Sequence, residues 1–158
     1  MSHSAIPDVP DKPRLNYAEA SPEALHAMRL LEGAVLKSGL EPSLLELVKL
    51  RASQINGCAF CIDMHTRDAI KHGEDTRRLF LVSAWREAPL FTPRERAALA
   101  WTEAVTEVST SHVPDELYEK VREHFTDKEL TNLTLAVVAI NGWNRFAISF
   151  RIIPPAHV

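Results

Sequence analysis

Apolar residues recur three and four apart from Ser21 to about Ile140, and no run alternates apolar with polar as a half-buried strand would. The punctuation between them is helical as well. Ser21-Pro22 reads as an N-cap followed by proline at the first helical position, and Gly39 as the stop of that helix. Pro42 opens a second helix that carries Leu44, Leu45, Leu47, Val48, Leu50, Ala52 and Ile55 up to Asn56-Gly57. A third helix is expected from about Cys58 to His72 and a fourth from about Asp75 to Glu87. Thr92-Pro93-Arg94-Glu95 is a capping box and starts a fifth, running to about Val108. Pro114 opens a sixth, and a second capping box, Thr126-Asp127-Lys128-Glu129, starts a seventh that reaches Ile140. With 5 glycines in 158 residues and no strand pattern, the expected fold is all-α.

Residues 1–20 break this pattern. Pro7, Pro10 and Pro13 keep them out of regular helix, which predicts an extended N-terminal arm, either laid on a neighbouring subunit or disordered. Residues 21–158 then form a single all-helical domain, a length that buries a core without staples. Within it Leu45, Leu50, Ile55, Asn56 and Gly57 match Leu130, Leu135, Ile140, Asn141 and Gly142 at an offset of 85 residues. Two copies of a helix-break-helix unit, packed as a pseudo-symmetric bundle, explain the match, as does chance agreement between two leucine-rich helices. The second copy places Trp143 and Phe146 where the first has Cys58 and Cys61.

Composition narrows the partners. A 46% apolar and 25% charged chain with net charge -3 is an ordinary globular balance, which gives no reason to expect nucleic acid or an anionic membrane surface. No apolar run approaches the roughly 20 residues of a membrane span, and the first ten residues lack a signal-peptide pattern, so a cytoplasmic location is expected. There, two cysteines three apart are redox-active or metal-binding more often than a structural staple.

Those cysteines, Cys58 and Cys61, are the only two in the chain. With His65 they fall at i, i+3 and i+7, on one helix face. If Asn56-Gly57 is the corner of an αα-hairpin, Glu46 on the first arm and His65 on the second lie within about 3 Å of the same height. The line Glu46, His65, Cys61, Cys58 then reads as a proton relay feeding a dithiol that opens and closes a disulfide. Other readings stay open: Glu46 with Lys49 as an exposed helix pair, His65 as filler, and the cysteines as small buried hydrophobes. Zinc would take Cys58, Cys61 and His65 with a fourth ligand such as His72, but no second ligand motif completes the set. Haem attachment needs histidine where Ile62 stands, and neither a βαβ pattern nor a glycine-rich phosphate loop is present. No cofactor is expected.

At these residues the chain resembles the AhpD-like alkylhydroperoxidase branch of the carboxymuconolactone decarboxylase family. The likeness runs through Glu46, Leu50 to Gly57, Cys58-x-x-Cys61 and His65, then Ser83 to Glu87, Glu95 to Ala104 and Ile140 to Arg145. It implies an all-helical AhpD-like bundle assembled as a homo-oligomer, a trimer or hexamer, with a peroxide-reducing dithiol. It further implies that Cys61 attacks the hydroperoxide, that Cys58 closes the disulfide, and that Glu46 and His65 relay protons. An external dithiol, a lipoyl group or a thioredoxin-like protein, would reset the pair. Phe60 departs from the family's better-known peroxidases, which have histidine there. A non-catalytic redox sensor and a decarboxylase-like enzyme are the alternative functions, the latter having no need of a C-x-x-C.

Overall fold

A computed structural model describes residues 11–156, and the regular elements among them are all helical. In chain order they are α1 (Tyr17–Ala20), α2 (Pro22–Leu36), α3 (Pro42–Asn56), α4 (Ala59–Lys71), α5 (Thr76–Leu81) with a 3-10 turn (Val82–Ala84), α6 (Pro93–Thr106), α7 (Val108–Ser111), α8 (Asp115–Arg122) and α9 (Asp127–Phe150). The caps explain where the helices start. The Ser21 hydroxyl accepts from the Ala24 N–H, and both capping boxes are complete, Thr92 with Glu95 and Thr126 with Glu129.

The core is built around α3. Leu44, Leu45, Leu47, Val48, Lys49, Leu50, Ala52 and Ser53 are all buried, so this helix is covered on nearly every side, by α4, α6 and α9. Each neighbour closes one part. α9 and α6 enclose Val48, Leu133, Ala136 and Val137 with α3; Trp85 and Phe91 pack near Leu47 and Leu50 on another side; and Ala52, Cys58, Cys61, Ile140 and Ala147 make a third, smaller cluster. Glu103 of α6 ties the second cluster together by accepting from Arg51 Nε and Trp85 Nε1, both at 2.8 Å.

Several boundaries differ from expectation, each for a physical reason. The arm is not extended to residue 20. Tyr17–Ala20 is a helical turn, and Tyr17 packs edge-on to Phe146 with ring centroids 5.2 Å apart, while the Arg14 N–H donates to the Phe150 carbonyl at 2.9 Å. This segment therefore lies on α9 of its own chain; residues 1–10 of the expected arm fall outside the described residues. The fourth helix loses its second half to a 3-10 turn, with Trp85 buried just beyond it. The fifth stops at Thr106, and a short α7 follows Glu107.

The seventh expected helix does not stop at Ile140. α9 runs on through Asn141-Gly142 to Phe150, so only the first copy of the repeat contains a break. Its 24 residues, with a mean hydropathy of 1.2 over the most apolar window of 18, have the length and composition of a membrane span, which corrects the view that no such run exists. Leu133, Ala136, Val137, Ala139 and Ile140 are at most 1% exposed, however, and pack in the core.

Candidate functional site

Gly57 turns the chain. Its φ of 68° lies in the left-handed region that L-residues with a side chain avoid, and it closes α3 with its N–H bonded to Gln54 and Ser53 carbonyls. Cys58 follows in extended conformation as the N-cap of α4, and Cys61 sits in that helix's first turn. Both are free thiols, and each is only 2% exposed.

The two sulfurs share a hydrogen bond, and this sets their acidities apart. Cys58 is lowered to about 7, first by the Cys61 thiol donating to it, against a burial effect that raises it. The backbone N–H groups of Cys61 and Phe60, at the start of α4, and the side chain of Asn144 add to the lowering. Cys61 is pushed far up by the same shared bond, then by burial and by the charge on Cys58. The resting anion thus belongs to Cys58.

Access runs the other way. A cavity of about 390 Å³ opens beside Cys61, not Cys58. Tyr17, Phe60, Met64 and Trp143 give it apolar walls, and Glu32, Glu46, Lys49 and His65 give it a polar end. In that end His65 Nδ1 lies 3.0 Å from Glu46 Oε2. An ionised carboxylate only accepts, so the Nδ1 proton points at Glu46 and Nε2 is the nitrogen left to take a proton. Burial pushes Glu46 up, but the His65 hydrogen bond and the charges of His65, Lys49 and His72 outweigh it and hold the carboxyl below its usual range.

The sequence placed Glu46, His65 and Cys61 around one space, and the structure brings them there. It does not join them in one chain of bonds: Cys61 is set by Cys58, burial and Asn144, and His65 is not among its partners. The exposed Glu46–Lys49 pair is overturned, because Lys49 is 3% exposed and its ammonium lies 2.6 Å from Glu32 and 3.9 Å from Glu46. His72 lies beyond Glu46, on a second cavity of about 220 Å³ that Glu46 also lines. Among the described residues no three His, Cys, Asp or Glu side chains converge as a metal-ligand set.

Four participants escaped the sequence reading. Tyr17 comes from the supposed arm, and burial raises its hydroxyl. Glu32 is brought in by α2 through Lys49, a pairing across 17 residues with no local signature. Trp143 was noted as the counterpart of Cys58 and within the family-like stretch Ile140 to Arg145, but given no role, yet it forms a cavity wall. Asn144 did leave a signal: it interrupts the buried stripe of Ile140 and Ala147, and an amide at a core position needs partners.

Comparison with known proteins agrees with this architecture. Residues 22–104 match the model of the carboxymuconolactone decarboxylase family. The uncharacterized protein YdfG of Bacillus subtilis is 43% identical over 136 residues, 86% of this chain and 92% of that one. A protein of unknown function from Agrobacterium tumefaciens, provisionally named an AhpD antioxidant defence protein, superposes with a TM-score of 0.90 at 48% identity, covering 92% of this chain and 100% of the other. An uncharacterized peroxidase-related protein from Silicibacter sp. TM1040 has the same fold at a TM-score of 0.77 and 24% identity, over 91% of this chain and 77% of its own. By sequence and by its AhpD-like fold, the chain belongs to the carboxymuconolactone decarboxylase family.

Proposed function

We propose that the protein is a thiol-dependent peroxidase that reduces a hydroperoxide with the Cys58–Cys61 dithiol. The observation that carries this reading is the pairing of an acidic, hydrogen-bonded dithiol with a cavity that also holds the His65–Glu46 pair. Cys61 meets the substrate because it faces the cavity. Its proton passes to Cys58 across the shared bond, and the Cys61 thiolate attacks the distal peroxide oxygen. The O–O bond breaks, the leaving alkoxide takes a proton that His65 Nε2 has first accepted from solvent, and Cys61 becomes a sulfenic acid. Cys58 then loses its proton to His65 and attacks the Cys61 sulfur; the disulfide forms and the hydroxyl departs as water with that proton. A dithiol reductant, a lipoyl group or a thioredoxin-like protein, exchanges with the disulfide and is itself oxidised. The sum is one hydroperoxide and one dithiol converted to alcohol, water and a disulfide.

Such a cycle belongs in a reducing compartment, the cytoplasm. Exposed Leu30, Leu36 and Phe80 support a homo-oligomer, of trimeric or hexameric form, that covers them. The test is consumption of hydroperoxides by the purified protein with dihydrolipoamide or reduced thioredoxin, followed together with thiol loss. Stoichiometric loss of both thiols with many turnovers is expected. Thiols that oxidise once and never turn over would instead make the pair a sensor, and thiols inert to peroxide would end the redox reading.

A further inference from the structure

Near the dithiol, outside the lining of the cavity, runs a chain of side-chain amides. Asn144 is fully buried, and its Oδ1 accepts from Asn56 Nδ2 at 2.9 Å while its Nδ2 donates to Ser53 Oγ at 3.0 Å. Asn56 Nδ2 also donates to Asn141 Oδ1 at 3.0 Å. Asn141 in turn donates through Nδ2 to the Val137 carbonyl at 2.9 Å and to Thr106 Oγ1 at 3.0 Å, and its Oδ1 accepts from Arg145 at 3.1 Å.

The direction of this chain is fixed. A carbonyl only accepts and a guanidinium only donates, so Val137 and Arg145 together determine which end of the Asn141 amide faces which way. Asn141 must therefore offer oxygen to Asn56, and Asn56 must offer nitrogen. That same nitrogen faces Asn144, which leaves Asn144 no choice but to accept there and to aim its own NH₂ group toward Ser53 and the two sulfurs. One of its N–H bonds goes to Ser53, whose carbonyl accepts from the Cys58 N–H at 3.0 Å, and Ile140 and Ala147, on either side of Asn144 along α9, pack against Cys58 and Cys61. The amide lowers the pKa of both thiols.

We propose that Asn144 is the thiolate-binding residue of this site: a neutral amide, oriented from Arg145 and Val137 through Asn141 and Asn56, donates to whichever sulfur carries the anion. The chemistry favours such a donor. No lysine or arginine is among the leading influences on either thiol, and Phe60 can neither donate from its side chain nor carry a proton. The other titratable groups that line the cavity with Cys61 are Tyr17 of α1, Glu32 of α2, Glu46 and Lys49 of α3, and His65 and Asp68 of α4; from α9 comes Asn144, which does not titrate. A donor that cannot ionise holds the negative charge on Cys58 or Cys61 alike, and so leaves the proton free to move between them. The inference rests on the dithiol being the reactive group, but its test needs no peroxide and no reductase.

Thiolate absorbance in the ultraviolet, followed against pH in the reduced full-length protein, gives the first ionisation directly. A wild-type midpoint near 7 is expected. Asn144→Leu should raise that midpoint by about one unit, a tenfold loss of thiolate, and move the disulfide potential more negative by about 30 mV, the same tenfold. Asn144→Ala, which avoids any steric conflict, should shift both in the same direction. A folded variant with lower thermal stability but an unmoved midpoint and potential would make Asn144 a packing residue and overturn the proposal. If neither variant folds, the wild type decides: the Asn144 side-chain amide resonances, observed in perdeuterated protein, should titrate with the thiol and shift when the disulfide closes. Resonances flat across that range would also overturn it.

Discussion

Asn56-Gly57 and Asn141-Gly142 are the same dipeptide after the same leucine spacing, and they do opposite things. At the first, Gly57 takes a φ of 68°, the helix ends, and the residues that follow carry thiols at a fresh helix N-terminus. At the second, Gly142 stays helical and the chain runs straight to Phe150. The surroundings of the two glycines differ as well. A Cβ at Gly57 would meet nothing within 4 Å, whereas one at Gly142 would lie 3.0 Å from Met28 Cε, because α2 packs directly over it. The two asparagines meet in space, Asn56 Nδ2 on Asn141 Oδ1, so the copies are joined at equivalent positions. A broken copy makes the reactive pair, and an unbroken one supplies its backing, Trp143, Asn144 and Ala147.

The largest effect that tests this division comes from the reactive copy. Cys61→Ser should abolish turnover and sulfenate formation, while Cys58→Ser should react once with peroxide and then stall, since its sulfenate has no partner. Phe146, the counterpart of Cys61 in the unbroken copy, packs on Tyr17 and not on the thiols, so Phe146→Leu should leave turnover within a few fold. Trapping with a sulfenate-specific reagent and mass spectrometry distinguishes the three. Sulfenate trapped at Cys58 in place of Cys61 would exchange the roles of the two cysteines.

Next in size is the Glu46–His65 pair. Either Glu46→Gln or His65→Gln should slow turnover by about 10²-fold with the fold intact, the usual scale for a positioned acid or base. Glu46 also leaves a mark on stability. Its folded pKa lies below its unfolded value, so its contribution is complete above the ordinary carboxylate range near 4.5 and fades as pH falls through the folded value. Urea midpoints measured from neutral pH downward should therefore fall more steeply below pH 4.5 in the wild type than in Glu46→Gln. Parallel curves would mean that the His65 contact does not hold the carboxylate.

How far the sequence revealed all this depends on how local each signal is. Capping boxes, N1 prolines and Gly57 act within one turn, and they marked the helix starts and the hairpin that brings Glu46 near His65. Contacts across long sequence gaps left little trace: Lys49 with Glu32, Tyr17 against α9, and the amide relay from Asn141 to Asn144. Asn141-Gly142 misled because glycine is a stop signal only where the chain is free to turn, and beyond Gly142 the buried Asn144 and Ala147 need the helical path of α9 to reach the core. The nucleophile divided the same way. Cys58 owes its acidity first to the Cys61 thiol and only then to the N–H groups at the start of α4, and only the packing of Trp143, Tyr17 and Met64 puts a cavity beside Cys61.

The smallest predicted effect isolates the glycines themselves. Gly57→Ala forces a side chain into the left-handed region, which costs about 1–2 kcal/mol, and the strain falls on the residue that places Cys58. Stability should drop by about that amount, and the thiolate midpoint should move with it because the sulfur no longer sits squarely at the start of α4. Gly142→Ala has two opposed terms. Alanine in a helix interior is favoured over glycine by about 1 kcal/mol, and against this stands the 3.0 Å approach to Met28 Cε. That atom ends an unbranched, rotatable thioether that gives way by a few tenths of an ångström at little cost. The helix preference should win, leaving Gly142→Ala about 0.5 kcal/mol more stable than wild type, with the thiolate midpoint unchanged. Equal losses for the two substitutions in urea denaturation would mean that α9 is close to breaking at Gly142, and that the two copies differ less than their helices indicate.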